Sequence, residues 1–251
     1  MALDSQRVHL NRALSKLGLA SRVEATKAIR AGLVQVNGKP VRAPLTWVTL
    51  GLDRISLAGQ SASVTRQHRY LALNKPKGPV VTRSDELGRE TVHALLPVMA
   101  PRVEAVGRLD ADSEGLLLFT SDSTLASRLL EPGRKVAKVY QLTVRGSPSP
   151  EALAKVQEGI DLPGDLGRTK PCQARLLRHG ADKSVVELIL TEGKNRQARR
   201  MLAAVGHRVL RLVRQSFGPV LLGDLPKGTY RNLTPEELAT LHRAAGLKMD
   251  I

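Results

Sequence analysis

VGRLDADSEGLLLFTSD, residues 106–122, is the stretch on which the reading of the chain turns. Its Leu116-Leu117-Leu118-Phe119 run is apolar without alternation, as a buried strand requires. The loop ahead of it gathers Arg108, Asp110, Asp112, Ser113 and Glu114. A carboxylate on a loop that feeds a buried strand is well placed to be held rigidly in a cleft. The same residues also allow a plainer reading, in which Asp110 opens a turn and Arg108 is a surface charge.

Outward from this stretch, residues 69–251 alternate strands, Gly/Pro turns and helices. YLALNKPKG is a strand ending in a basic turn, and VYQLTVRG, VVELILTEG and RVLRLVRQSFGPV read as further strands. SPEALAKVQEGI and NRQARRMLAAVGH carry helical patterns closed by Gly159 and Gly206. This composition predicts an α+β domain with a mixed, mainly antiparallel sheet. SASVTRQH, residues 61–68, is polar and aperiodic and is expected to be a linker.

Residues 1–60 read as a smaller unit. Leu10, Ala13, Leu14 and Leu17 recur at helical spacing before Gly18. Ser21 with Glu24 makes a capping box for a second helix, which turns Ala25, Ala28 and Ile29 inward and stops at Gly32. In LVQVNGKPV, alternating residues flank Asn37-Gly38, a hairpin signal, and short strands follow in LTWVTL and DRISL. Through residue 66 the chain carries a net charge of +7, with Arg12, Arg22, Lys27 and Arg30 on or beside the two helices. One basic face that tracks phosphates is expected there.

The whole chain has a formal charge of +16 and a pI near 10.6. So strong an imbalance points to a polyanionic partner. No apolar run approaches the ~18 residues of a membrane span, and MALDSQRVHLNRAL lacks the plan of a signal peptide. Nucleic acid is therefore expected, with no membrane association and a cytoplasmic location. With aromatics at 2%, recognition has to rest on Arg and Lys rather than on a stacking platform. Cys172 stands alone, so no intramolecular disulfide or clustered thiolate metal site can form, and it is expected to be a buried, inert thiol. His9, His68, His93, His179, His207 and His242 lack metal-site spacing, so neither a metal nor another cofactor is expected.

Two resemblances sharpen this. LNRALSKLGLASRVEATKAIRAGLVQVNGKPV resembles the S4-type RNA-binding domain, a small αL-like fold that binds RNA without chemistry. GRLDADSEGLLLFTSD resembles the signature of the RsuA/RluB-type pseudouridine synthases, agreeing at Gly107, Arg108, Leu109, Asp110, Ser113 and Gly115 to Thr120. LALNKPKG, KVY and EGKNRQARRM are similar to three further family segments, with Lys194 in place of Arg and Ala198 in place of a branched residue.

The resemblance implies isomerisation of a uridine in ribosomal RNA. Asp110 would be the essential carboxylate, Tyr140 the tyrosine against the uracil ring, and Arg199 the guanidinium that orients Asp110. It implies that Arg108 helps to displace the target nucleotide. Arg196, Arg199 and Arg200 would share one face of a helix, and with Lys75, Lys77 and Lys194 would add to the RNA-binding surface. GPVLLGDLPKGTYRNLTPEEL looks more like the branch acting on large-subunit (23S) than on small-subunit (16S) RNA. A monomer is expected. A non-catalytic ribosome-assembly factor would explain the charge but not the intact GRLD loop, and a helix-turn-helix regulator fits poorly with the Asn-Gly hairpin.

Overall fold

A computed structural model describes residues 7–61, 68–97 and 103–247. The chain divides into two compact units, one running to Arg69 and the other holding nearly all of the chain from Tyr70 onward. The expected linker, residues 61–68, lies outside the described residues except at its two ends.

The first unit starts with β1 (Arg7–His9), a short strand that the sequence reading did not include. Helices α1 (Leu10–Lys16) and α2 (Arg22–Arg30) follow. Strands β2 (Val34–Val36), β3 (Lys39–Pro40), β4 (Trp47–Thr49), β5 (Ile55–Leu57) and β6 (Gln60–Ser61) complete it. The capping box forms in full: Ser21 Oγ accepts from the Glu24 amide, and Glu24 accepts from the Ser21 amide. The hairpin turns through Asn37 and Gly38 at φ of 52° and 80°, the left-handed pair that an Asn-Gly turn supplies. Leu10, Ala13, Leu14, Ala25, Ile29, Val34, Val48 and Ile55 form the core, with Leu17 and Ala28 packed against it. Arg12, Arg22, Lys27 and Arg30 are all exposed.

In the second unit come β7 (Tyr70–Lys75), β8 (Glu104–Ala105), β9 (Glu114–Thr120) and α3 (Ser123–Leu130). Next are β10 (Lys138–Arg145), α4 (Pro150–Glu158), β11 (Asp161–Leu162), β12 (Gly167–Arg168), β13 (Gln173–Arg178) and β14 (Lys183–Leu190). The chain ends through α5 (Gln197–Ala204), β15 (Val209–Phe217), β16 (Val220–Leu221), β17 (Tyr230–Asn232) and α6 (Pro235–Ala244). One sheet runs in the order β13-β14-β10-β15-β9-β7-β17, with β16 on β15 and β8 on β9. The β13–β14, β14–β10 and β10–β15 pairs are antiparallel, whereas β15 meets β9 in parallel.

That parallel crossing fixes the centre of the sheet. Val213 lies opposite Glu114 and Arg214 opposite Gly115. A Cβ on Gly115 would stand 2.4 Å from the Arg214 carbonyl oxygen, and its φ is +100°, so only glycine fits. Every residue of β9 is buried, as the apolar run requires. Leu116 and Leu118 pack with Val106, Leu125, Leu129, Phe217 and Leu241. A second cluster seats α5 through Ala198, Met201 and Leu202 against Leu188, Leu190 and Leu212. Ala198 is thus a core residue whose small side chain the packing accommodates. Cys172 is half-buried rather than buried, donates to the Val156 carbonyl at 3.3 Å, and burial pushes its thiol up to about 11, which keeps it inert.

Candidate active site

The loop between Leu109 and Glu114 has no regular structure, yet each of its four carbonyls accepts a hydrogen bond. Ser113 N donates to Asp110 O at 3.0 Å, closing a turn. Gly78 N donates to Ala111 O at 2.8 Å. Arg199 Nη2 donates to Asp112 O at 2.9 Å. Lys75 Nζ donates to Ser113 O at 3.0 Å, to Pro76 O at 2.9 Å, and at 3.5 Å to Ala111 O. Leu109 and Ser113 are buried on either side of the half-buried Asp110. A carboxylate is therefore held on a rigid loop without a helix or strand beneath it.

Three expectations from the sequence do not hold. Lys75 is not an RNA-facing lysine: it is fully buried under the loop as a post for its carbonyls. Desolvation lowers its pKa to about 8, against the raising effect of Asp112 and Asp110. The side-chain partner nearest Asp110 is Arg196 rather than Arg199, with Arg196 Nη1 3.4 Å from Asp110 Oδ2. Arg196 also grips Asp112 bidentately, at 3.1 and 2.8 Å, and this pairing holds the Asp112 carboxyl below its usual range. Arg199 instead reaches the Asp112 carbonyl, its carboxylate at 3.4 Å and the Ser113 hydroxyl at 3.4 Å. The reason is local: Arg196 sits ahead of α5 at φ 50°, outside the helical spiral, so it does not share a helix face with Arg199 and Arg200.

Lys194 is also re-placed. Its ammonium donates to the carbonyls of Leu166 and, at 2.9 Å, Arg168, so it ties one loop of the domain to another. Arg200 reaches Asn195 Oδ1 at 3.4 Å. Arg108 and Lys77 are exposed, and among the described residues neither has a polar partner.

Asp110, Tyr140, Arg108, Arg196 and Arg199 line a single cleft of about 670 Å³, inside the range of about 300–1,000 Å³ common for ligand sites. Lys138, Leu190, Leu212, Arg214 and Phe217 line it as well. Of these, Lys138 belongs to the KVY segment, while Arg214 and Phe217 carried no signal in the sequence. Asp112 was visible in the loop, but its role as the anchor of Arg196 was not. Below the loop, Glu114 accepts from Arg211 at 2.9 and 3.1 Å and pairs with Lys227 at 2.5 Å, which holds its pKa at about 2. Among the described residues no group of His, Cys, Asp and Glu could hold a metal ion, and no helix is long and apolar enough to cross a membrane.

A rigid carboxylate in an arginine-lined cleft, on a strongly basic chain, is a layout for chemistry on a nucleic acid. Comparison with known proteins specifies which chemistry. Residues 69–204 match the RNA pseudouridylate synthase family, and residues 9–50 match the S4 domain. An uncharacterized RNA pseudouridine synthase of Aquifex aeolicus is 39% identical over 96% of both chains. Ribosomal large subunit pseudouridine synthase B of Bacillus subtilis is 38% identical over 94% of this chain and 96% of its own. A pseudouridylate synthase crystal structure superposes with a TM-score of 0.67 at 31% identity, over 93% of this chain and 99% of the other. The chain belongs to the RNA pseudouridylate synthase family and is an enzyme that isomerises uridine in RNA.

Proposed function

We propose that this enzyme converts a uridine of large-subunit ribosomal RNA to pseudouridine, with the Asp110 carboxylate as the reacting group. The observation that carries the reading is the loop around Asp110, whose carbonyls are all bound and whose carboxylate opens into the cleft beside Tyr140 and Arg196. The reaction breaks the bond between uracil N1 and the sugar, turns the base and rejoins it through C5. It requires no redox partner. A fixed carboxylate can serve it as nucleophile or base.

Tyr140 lies against the extruded ring in this reading, and Arg108, free at the cleft mouth, helps to displace the nucleotide. Arg199 acts by holding the loop. Arg12, Arg22, Lys27 and Arg30, with Lys77, Arg196 and Arg200, supply contacts to the phosphate backbone. In this reading residues 1–60 bind the RNA and residues 69–251 carry out catalysis. The enzyme works as a monomer in the cytoplasm. The ribosomal large subunit is favoured because the B. subtilis relative that carries that name aligns over nearly the whole chain.

Pseudouridine mapping of ribosomal RNA from cells with and without the gene, complemented by wild type or Asp110→Asn, tests the reading. Loss of one large-subunit site, restored by wild type alone, is the expected result. A map unchanged in both subunits would refute the ribosomal assignment.

A further inference from the structure

The floor of the cleft holds two cations that the Asp110 loop does not use. Arg214, in β15, is 2% exposed. Its Nε donates to the Leu116 carbonyl at 2.6 Å, while its Nη2 is buried with no hydrogen-bond partner. Lys138, the first residue of β10, places Nζ 5.2 Å from the centre of the Phe217 ring, and Arg214 Cζ lies 5.4 Å from that same centre. Among the described residues no carboxylate pairs with either. Burial lowers the Lys138 pKa to about 8, and the charge of Arg214 adds to the shift.

A break in strand alternation brings them together. Lys138 lies opposite Phe217, Val139 opposite Ser216 and Tyr140 opposite Arg214, so Gln215 is an extra residue in β15. In an unbroken strand Arg214 and Phe217, three positions apart, would face opposite sides of the sheet. The bulge turns both into the cleft, beside Lys138 and Tyr140. Gln215 itself bonds across to Gln141 Oε1 at 3.0 Å.

A buried Arg214 and a half-buried Lys138 that share the Phe217 ring without an anion are unfavourable neighbours unless a ligand brings one. The geometry points to Lys138 and Arg214 as the site that takes up the negative charge of the uracil ring when its bond to the sugar breaks. This rests on the uridine chemistry placed at Asp110 above. When the C1′–N1 bond breaks, its electron pair leaves with the base, which becomes an anion spread over N1 and the two carbonyl oxygens. The Asp110 carboxylate, in the same cleft, balances the electron-poor C1′. After the base turns, C5 bonds to C1′, the C5 hydrogen leaves as a proton and N1 takes one up. No oxidant, reductant or other co-reactant enters.

The floor suits a ring better than a phosphate. Its walls are Tyr140, Phe217, Leu190 and Leu212, which match the faces of a flat base. A phosphodiester carries its charge throughout the reaction and is served by the exposed Arg108 and Arg196. Fixed cations aimed where charge develops act on the transition state, because they need no reorganisation as the bond breaks.

The test compares wild type with Lys138→Met, which keeps the length and removes the charge, and with Lys138→Arg, which keeps the charge. Arg214 is left intact because it also holds the Leu116 carbonyl. The probe is total RNA from cells lacking the gene, tritiated at C5 of uridine, with enzyme in excess and released tritium as the readout. Lys138→Met is expected to slow the first-order release about 100-fold while filter binding of the RNA changes less than about threefold. Lys138→Arg is expected to recover most of the rate. If Lys138→Met proves poorly folded by thermal melting, Lys138→Gln is measured in the same way. An unchanged release rate would overturn the proposal, as would a loss that saturating enzyme restores, since the lysine would then serve only RNA binding. Size fractionation keeps the two readings apart: tritium released from small RNA would remove the ribosomal assignment and leave the Lys138 comparison standing.

Discussion

Between Leu109 and Glu114 the chain gives up regular structure, and side chains share with two backbone amides the task of binding its carbonyls. Lys75 and Arg199 do most of that work, and each acts on Asp110 through the backbone rather than by touching its carboxylate. Replacing Asp110 by Asn keeps the shape and removes the charge. Tritium release is expected to fall below about one thousandth of wild type with RNA affinity intact, and a rate near wild type would remove Asp110 from the chemistry. Lys75→Met would remove the donor to the part-buried Pro76 carbonyl and leave the buried Ser113 carbonyl unsatisfied, the latter at about 1–3 kcal/mol. A clear drop in melting temperature and a slower release step are expected together, and an unchanged melting curve would contradict the post. Glu114 adds a pH dependence. Its pKa falls from 4.5 to about 2 on folding, chiefly through Arg211, so the unfolded chain binds its proton first as pH drops. The stabilisation is complete above about pH 4.5 and is lost as pH falls towards 2, amounting to about 2–3 kcal/mol at most. Urea denaturation of Glu114→Gln should show a shallower loss of stability across that window than wild type, and parallel curves would refute the assignment.

At the scale of elements, what could be read in advance is what local chemistry determines. Ser21 with Glu24, Asn37-Gly38 and the unbroken Leu116–Phe119 run each form what their residue types require. Helix α6 carries the same kind of signal, since Thr234 and Glu237 close a capping box. Other features depend on partners remote in sequence. Lys75 reads as a surface charge because two of its three acceptors, the Ala111 and Ser113 carbonyls, lie 36 and 38 residues away. The bulge at Gln215 has no signature in RLVRQSF, because a strand shows where alternation breaks only against the strand beside it. The Gly115 crossing is intermediate: the motif marks the glycine, and the fold supplies the reason. Gly115→Ala places a methyl group 2.4 Å from the Arg214 carbonyl oxygen and 2.7 Å from its amide nitrogen. Because Arg214 belongs to the cleft floor, a loss of more than about 3 kcal/mol is expected together with loss of activity. Gly133→Ala, with no heavy atom within 4 Å of its added carbon, is the neutral control. Equal unfolding curves for the two variants would show that the crossing tolerates a side chain.

At the scale of the molecule, a formal charge of +16 has to be reconciled with the proposed use of one carboxylate, Asp110, in the reaction. In the proposed reading most of the charge serves binding, which is an electrostatic and sequence-tolerant task, while the cleft handles a single nucleotide. The two tasks should respond differently to salt. Each phosphate contact made by a cation contributes about −0.7 to the slope of log affinity against log salt on single-stranded RNA. Arg12, Arg22, Lys27 and Arg30 are exposed on or beside the helices of the first unit, outside the catalytic cleft. Changing all four to Gln should therefore make the slope shallower by up to about 3, measured by filter binding between about 50 and 200 mM salt. The same variant, saturated with RNA at low salt, should release tritium at a first-order rate within about twofold of wild type, because ground-state binding and the chemical step are separate quantities. A slope that stays unchanged would show that this basic face does not track phosphates. A slow release from the saturated complex would show instead that the first unit positions the uridine as well as holding the RNA.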